Sequence, residues 1–103
     1  MQSNVCPVAR TLDKVGDTWS LMILRDAFRG LTRFDQFQKS LGVAPNILTK
    51  RLAGLVAAGF MERRPYSDRP LRHDYVLTPM GREFRPVLSA LMAFGERNLP
   101  LVG

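Results

Sequence analysis

Residues 33–72 of this chain read RFDQFQKSLGVAPNILTKRLAGLVAAGFMERRPYSDRPLR. This stretch holds eight Lys and Arg residues against three Asp and Glu residues, so it carries five of the six net positive charges of the chain. Two short amphipathic segments enclose a turn at Gly42, and a strand and a basic loop with prolines follow them. We therefore predict a helix-turn-helix followed by a β-hairpin wing, an order that is typical of DNA-binding domains.

The length and composition of the chain limit the class of protein to which it can belong. The 103 residues suffice for one hydrophobic core, and no repeat or linker divides them, so we expect a single domain over residues 1–103. Because the positive charge is clustered, we favour a protein that binds an anionic partner over a basic globular domain without such a partner. The single cysteine, Cys6, permits no internal disulfide, and we find neither a signal peptide nor an apolar run of about 18 residues. We expect a cytoplasmic protein without a membrane segment.

Three helices are predicted before the recognition segment. The first begins at Pro7 and ends before Gly16. The second, capped by Asp17 or Thr18, is apolar around nearly its whole circumference, so we place it in the centre of the core. The third is expected to start after a cap at Thr32.

A fourth helix, over residues 45–58 and ending at Gly59, is the candidate recognition helix. At roughly 100° per residue, leucines share one face of this helix. The opposite face carries small and polar side chains: Asn46, Thr49, Lys50 and Ala53. Arg51 lies on the flank, and two roles for it remain open, contact with a phosphate or pairing with a nearby acid.

The pattern after Gly59 shortens to period two and predicts a hairpin over about residues 60–78. Its strands are expected over residues 60–66 and 71–78, and a projecting loop is marked by Pro65, Ser67, Asp68 and Pro70. A last helix follows over about residues 79–98, capped by Thr78 and kinked at Pro86. The predicted fold class is therefore mainly α with a small β-hairpin (α+β), a winged helix-turn-helix.

The outward face of the fourth helix suits base recognition. A helix of about 10 Å diameter fits the major groove of B-DNA. Asn46 can bind adenine bidentately, Lys50 can donate to guanine or phosphate, and Thr49 can do either or contact a thymine methyl. The alternative is that all three are ordinary solvated positions.

The remaining basic residues are better suited to the DNA backbone. Arg33 lies at the start of the third helix, and Arg69 and Arg72 lie in the wing, so we predict phosphate or minor-groove contacts for them. Arg63 and Arg64 alternate across a strand, so only one of the two is expected to face DNA.

The sequence does not favour an enzyme. His73 is the only histidine, and neither a second histidine nor a nearby cysteine completes a metal site or a nucleophilic dyad. We predict no catalytic residue, no metal and no cofactor. The competing class is a non-specific architectural nucleic-acid binder, for which positive charge alone would suffice.

Several local motifs occur in a fixed order along nearly the whole chain. They are Cys6-Pro7, Gly16 with Trp19 and LMILRD before Phe28, RFDQF, LTKRL at residues 48–52, Gly59 followed by ERR and Tyr66, and DYVLTPMG leading to Pro86. Together with the order of elements, these motifs resemble the HxlR-type winged-helix transcriptional regulators. The chain departs from the family at Ala44, where a Ser is common, and Gly54 is an unfavourable residue inside a helix.

The resemblance implies a cytosolic prokaryotic regulator that binds operator DNA as a homodimer. By the same resemblance, the helix-turn-helix spans about residues 33–58 and the wing covers residues 66–72. The recognition helix begins at Pro45, which we count among the expected DNA-binding residues. The first and last helices would form most of the dimer interface. The interface residues expected there are Val8, Leu12, Val87, Leu88, Leu91 and Met92.

Regulation by a small molecule is a further expectation. Some relatives in this family sense oxidants or electrophiles through a cysteine near the position of Cys6, and a thiol at a helix start lies at the positive end of the helix dipole. An inert Cys6 packed at the dimer interface is the alternative. An apolar effector between the helices is also conceivable, although Trp19 and the Phe and Met residues are most simply core. Repression is favoured over activation, because occupying a promoter needs no further surface.

Overall fold

The computed structural model describes residues 6–101. Their elements, in chain order, are α1 (Pro7–Val15), α2 (Thr18–Phe28), α3 (Phe34–Leu41), α4 (Pro45–Ala57), β1 (Met61–Asp68), β2 (Leu71–Leu77), α5 (Pro79–Arg82) and α6 (Arg85–Asn98). The strands form one antiparallel hairpin. The predicted architecture, mainly α with a small hairpin, is confirmed.

Local capping explains where most helices begin and end. Of the two caps considered for α2, Asp17 is the one used, since its Oδ2 accepts a 2.9 Å hydrogen bond from the Ser20 backbone N–H. Gly42 ends α3 with φ 64° and Gly59 follows α4 with φ 86°, a left-handed conformation that glycine adopts without steric cost.

The predicted cap of α3 is wrong. The N-cap is Arg33, and the hydroxyl of Thr32 instead donates a 3.1 Å hydrogen bond to Oδ1 of Asp74 on β2. The Gln36 side chain accepts from the backbone N–H groups of both Thr32 and Arg33 at 3.0 Å, which satisfies the start of the helix without a Thr cap. Thr32 is thus used for a tertiary contact.

The hairpin loop is shorter than predicted. Asp68 pairs with Leu71, so only Arg69 and Pro70 form the turn. Pro65, Ser67 and Asp68, which were also expected in the loop, lie in β1. Pro65 is tolerated there because a two-stranded hairpin has only edge strands, where a missing N–H removes no necessary ladder bond.

The single kinked helix predicted over residues 79–98 is also wrong. The chain forms the short α5 and then a separate α6, with Phe84 buried between them in edge-to-face contact with Phe60. Pro86 lies in the first turn of α6, where proline fits without a kink. The predicted cap at Thr78 is confirmed, because its hydroxyl oxygen accepts a 2.9 Å hydrogen bond from the Gly81 N–H.

The hydrophobic core lies between α2, α3, α4 and the base of the hairpin. Its buried residues are Val15, Ile23, Leu24, Phe37, Val43, Leu48, Leu52, Leu55, Phe60, Met61 and Phe84. The central place predicted for α2 holds for Ile23 and Leu24, whereas Leu21 and Met22 are only half-buried. Within residues 6–101, no helix is long and apolar enough to cross a membrane.

Candidate nucleic-acid interface

Helix α4 has one buried and one solvent-facing side. Leu48, Leu52 and Leu55 are at most 1% exposed and fix the helix on the core. The opposite side is exposed and carries four of the predicted contact residues: Pro45, Asn46, Thr49 and Lys50. The helix starts at Pro45 after Ala44, which supplies no side-chain cap. The helix is therefore anchored to the core on one side and presents polar side chains to solvent on the other.

Arg51 takes the second of the two roles left open by the sequence. It is half-buried, and its Nε lies 3.4 Å from Oδ2 of Asp17 at the N-terminus of α2. Burial of Asp17 disfavours its charged form, but the hydrogen bonds with Ser20 and the charge of Arg51 outweigh this and lower the pKa of Asp17. Arg51 therefore ties α4 to α2.

The wing carries exposed positive charge near its tip. Arg69 lies in the two-residue turn, and Arg72 follows it in β2, with both side chains exposed. Arg63 and Arg64 are also both exposed, and Arg64 pairs with Glu62 through a 2.8 Å hydrogen bond from Nε to Oε1. The tip and Arg63 are thus the parts of the wing that offer charge to a backbone phosphate.

Arg33 contacts the wing as well as lying at the start of α3. Its Nε is 3.5 Å from Oδ1 of Asp74 on β2, and its guanidinium carbon is 4.2 Å from the centre of the Tyr66 ring on β1. From the sequence, Asp74 and Tyr66 were noted only as members of motifs, and neither was given a role in the interface. No signal in the sequence pattern joins residues so far apart.

A cleft of about 380 Å³ separates the start of α3 from the hairpin. Side chains from both elements line it, among them Arg33, Tyr66, Arg72, His73 and Tyr75. His73, the single histidine of the sequence, is half-buried in this wall. The cleft thus brings side chains of α3 and of both strands of the wing together.

The model of the HxlR-like helix-turn-helix family matches residues 14–102. The chain belongs to this family. The resemblance inferred from the sequence motifs is therefore confirmed.

Curated relatives of this HxlR-like chain carry the names of regulators. An HTH-type transcriptional regulator of Mycobacterium tuberculosis is 44% identical over 93 residues, which is 90% of this chain and 59% of that protein. A second one, from Synechocystis, is 37% identical over 94 residues, covering 90% and 70% respectively. The chain thus spans less than two thirds of the mycobacterial relative.

Solved structures share the fold. PA1607 has a TM-score of 0.86 at 50% identity, with 92% of this chain and 66% of that chain covered. The redox regulator HypR in its reduced form has a TM-score of 0.85 at 31% identity, covering 90% and 93%. The winged helix-turn-helix predicted for this HxlR-like chain is confirmed.

The outer helices of the HxlR-like fold present apolar side chains to solvent. Five of the six residues predicted for a dimer interface are exposed: Val8, Leu12, Val87, Leu91 and Met92. The sixth, Leu88, is half-buried and packs on the core. Phe94 and Leu99, which are 54% and 72% exposed, are further exposed apolar side chains at this end of the chain and were not among the predicted interface residues.

Two features bear on regulation. Cys6 is a half-buried free thiol at the N-cap of α1. An open groove of about 430 Å³ lies between α2 and α6. Its lining is Thr18, Leu21, Met22, Arg25, Arg29, Leu88, Leu91 and Met92. The half-buried Leu21 and Met22 both line this groove, and Leu21 also packs against the core.

Proposed function

We propose that this chain is a sequence-specific DNA-binding transcriptional regulator that acts as a homodimer. The observation that carries the proposal is the outer face of α4, where Asn46, Thr49 and Lys50 are exposed on a helix anchored by buried leucines. These side chains match the hydrogen-bonding groups of base edges in the major groove. Membership of a family whose relatives are named as transcriptional regulators supports the same function.

The proposed contacts divide into two kinds. Asn46, Thr49 and Lys50 read bases, and Pro45 at the start of α4 brings the backbone close to the groove. Arg69 and Arg72 bind phosphates or enter the minor groove beside the site. Their position at the exposed tip of the hairpin supports this division.

The proposed dimer joins two such readers through α1 and α6. Apolar side chains on these helices are 45–65% exposed, as at Val87 and Val8, which a second copy would cover. The radius of gyration, 14.8 Å, also exceeds the value of about 13 Å expected for a compact domain of this size. Two recognition helices about 34 to 36 Å apart would read successive major grooves of a roughly palindromic operator.

Repression is the proposed outcome of operator binding. A dimer that covers a promoter blocks it without any further surface for partner proteins. We place the protein in the cytoplasm of a prokaryote, where operator DNA is directly accessible, and we assign it neither an enzymatic activity nor a cofactor. The relatives' names as regulators support this assignment.

The experiment that tests this function is the selection of bound fragments from genomic DNA, followed by competition with scrambled fragments. A specific regulator enriches a common, roughly palindromic site and prefers it by at least about a thousandfold. An architectural binder, the competing class, enriches no common site and binds scrambled DNA equally. Repeating the competition at several salt concentrations separates charge from base recognition.

A response to oxidants or electrophiles is a second proposal. It is favoured by the likeness to HypR, a redox regulator, and by the position of Cys6 at the start of α1, beside the proposed dimer interface. The test compares wild type and Cys6→Ser in the presence of diamide or a quinone. We expect the variant to bind DNA with unchanged affinity and to lose any response, and an unaltered response would exclude sensing by Cys6.

A further inference from the structure

The wing is a two-stranded hairpin, and most residues of its outer half are exposed. Such a hairpin is marginally stable by itself, so its direction depends on contacts with the body of the protein. Besides its base, the hairpin is held at the start of α3. The Tyr75 N–H donates a 2.7 Å hydrogen bond to the Thr32 carbonyl, and the Thr32 hydroxyl donates to Asp74 at 3.1 Å.

Arg33 extends this attachment to both strands. Its Nε lies 3.5 Å from Oδ1 of Asp74 on β2, and its guanidinium carbon lies 4.2 Å from the ring centre of Tyr66 on β1. This ring position is within the range of a cation–π contact. One side chain at the helix-turn-helix therefore touches both strands of the wing.

A strand irregularity accompanies the contact at Tyr66. The pairing runs from Pro65 with His73 directly to Ser67 with Arg72, which leaves Tyr66 without a partner on β2. A bulge of this kind changes the direction of a side chain and of the strand beyond it. Here the unpaired residue is the one whose ring covers Arg33.

We propose that Arg33 is a positioning residue that sets the direction of the wing relative to α4, rather than a phosphate contact. Held between Asp74 and Tyr66, its guanidinium fixes the hairpin so that Arg69 and Arg72 reach the DNA backbone while α4 lies in the major groove. The charge of Arg33 is already balanced by the neighbouring carboxylate, so it adds little attraction for phosphate. This inference rests on the proposed function and says how the wing is oriented for DNA binding.

The first test uses the sign of a charge effect. Removing an acid beside DNA should raise affinity by simple electrostatics, whereas removing the partner of a positioning residue should lower it. We expect Asp74→Asn, which keeps an oxygen for Thr32 to bond, to weaken binding to the selected site by roughly fivefold to tenfold. Asp35→Asn is the matched control, an exposed carboxylate in the first turn of α3, and we expect it to leave affinity unchanged or raise it.

The second test asks whether Arg33 acts through the wing. Arg33→Ala should weaken binding about as much as Asp74→Asn does, and should have little further effect when Arg69 and Arg72 are both already alanine. A direct phosphate contact would instead add its own loss in that background and lower the salt slope by about 0.9. Tyr66→Ala, a change at an exposed side chain, should reproduce Arg33→Ala, and Tyr66→Phe should behave as wild type because the ring face remains.

A hydroxyl-radical footprint supplies a readout that a general loss of stability would not give. In Arg33→Ala, protection at the edges of the site should disappear while protection in the central major grooves persists, with the thermal unfolding temperature measured alongside. The inference is overturned if Asp74→Asn binds as tightly as Asp35→Asn, or if the effect of Arg33→Ala adds fully to the loss of the wing arginines. If wild-type protein prefers no fragment at all, the proposed function itself fails and this inference fails with it.

Discussion

Oδ2 of Asp17 accepts the N–H of Ser20 at 2.9 Å and lies 3.4 Å from Nε of Arg51. A single carboxylate thus caps α2 and pairs with the flank of α4. Because the Asp17 and Arg51 side chains are only about a third exposed, at 32% and 39%, solvent screens the pair incompletely. Helix α4 is thereby held by an ion pair with α2 as well as by its buried leucines.

The stability of this contact should depend on pH. The pKa of Asp17 lies below its ordinary value of about 3.9. The charged carboxylate therefore stabilises the fold fully above that ordinary value, and this stabilisation is lost as pH falls through the lower pKa of the folded state. We expect Asp17→Asn to reduce the free energy of unfolding at pH 7, since it can still cap α2 but carries no charge. The reduction should shrink below about pH 4. Urea unfolding at pH 7, 5 and 3 measures it.

Asp13→Asn is the control for that experiment, because Asp13 is exposed and pairs only loosely with Lys14 at 3.7 Å. We expect this substitution to leave the pH dependence unchanged. An Asp17→Asn variant that is destabilised equally at pH 7 and pH 3 would contradict the role given to the carboxylate charge.

Two glycines should respond to alanine in opposite directions. A Cβ on Gly81 would collide with the carbonyl oxygen of Phe60, so we expect Gly81→Ala to destabilise the fold by about 2 kcal/mol. A Cβ on Gly54 meets nothing within 4 Å, and alanine is the better helix residue, so Gly54→Ala should stabilise it by about 1 kcal/mol. Thermal and urea unfolding measure both changes. Equal effects of the two substitutions would contradict this account.

Features set by local interactions could be predicted from the sequence. The sequence predicted Thr78 as a cap and Asp17 as one of two candidate caps, because such side chains bond to a backbone N–H three residues further on, as both do here. Gly59 was predicted as the helix end because helices often stop at a glycine with a left-handed backbone, the conformation that Gly59 adopts. The polar face of α4 followed from helical periodicity alone.

Features set by contacts between distant residues could not be predicted. Thr32 is of a residue type that often caps helices, yet its hydroxyl donates a hydrogen bond to Asp74, 42 residues away. The break before α6 follows from the packing of Phe84 on Phe60, which no local pattern encodes. For the same reason Arg33 was treated as a free charge at a helix start, although it contacts two residues of the wing.

The exposed face of α4 and the tip of the wing should contribute differently to DNA binding. We expect Asn46→Ala and Lys50→Ala to relax preference for individual bases by about 1 to 3 kcal/mol, because each removes a donor to base edges. Arg69→Ala should weaken all sequences together and reduce the salt slope by about 0.9, because it removes a phosphate contact. Competition with single-base variants of the selected site, repeated at several salt concentrations, measures both effects.

Arg97→Ala, near the C-terminal end of α6 and outside the proposed interface with DNA, is the control for these three substitutions. It should change neither base preference nor affinity for the site. If the three substitutions on α4 and the wing lowered affinity equally for every sequence, base recognition by α4 would be contradicted.

The apolar surface of α6 should control the oligomeric state. Leu91 is 53% exposed, so Leu91→Asp places a charge on the proposed dimer interface without disturbing the core. We expect this variant to sediment as a monomer with unchanged helix content, and to bind the two-half-site operator at least tenfold more weakly, since each copy then binds alone. Ser89→Asp, which adds the same charge at an exposed polar position of α6, should remain dimeric. A Leu91→Asp protein that stayed dimeric would place the interface elsewhere.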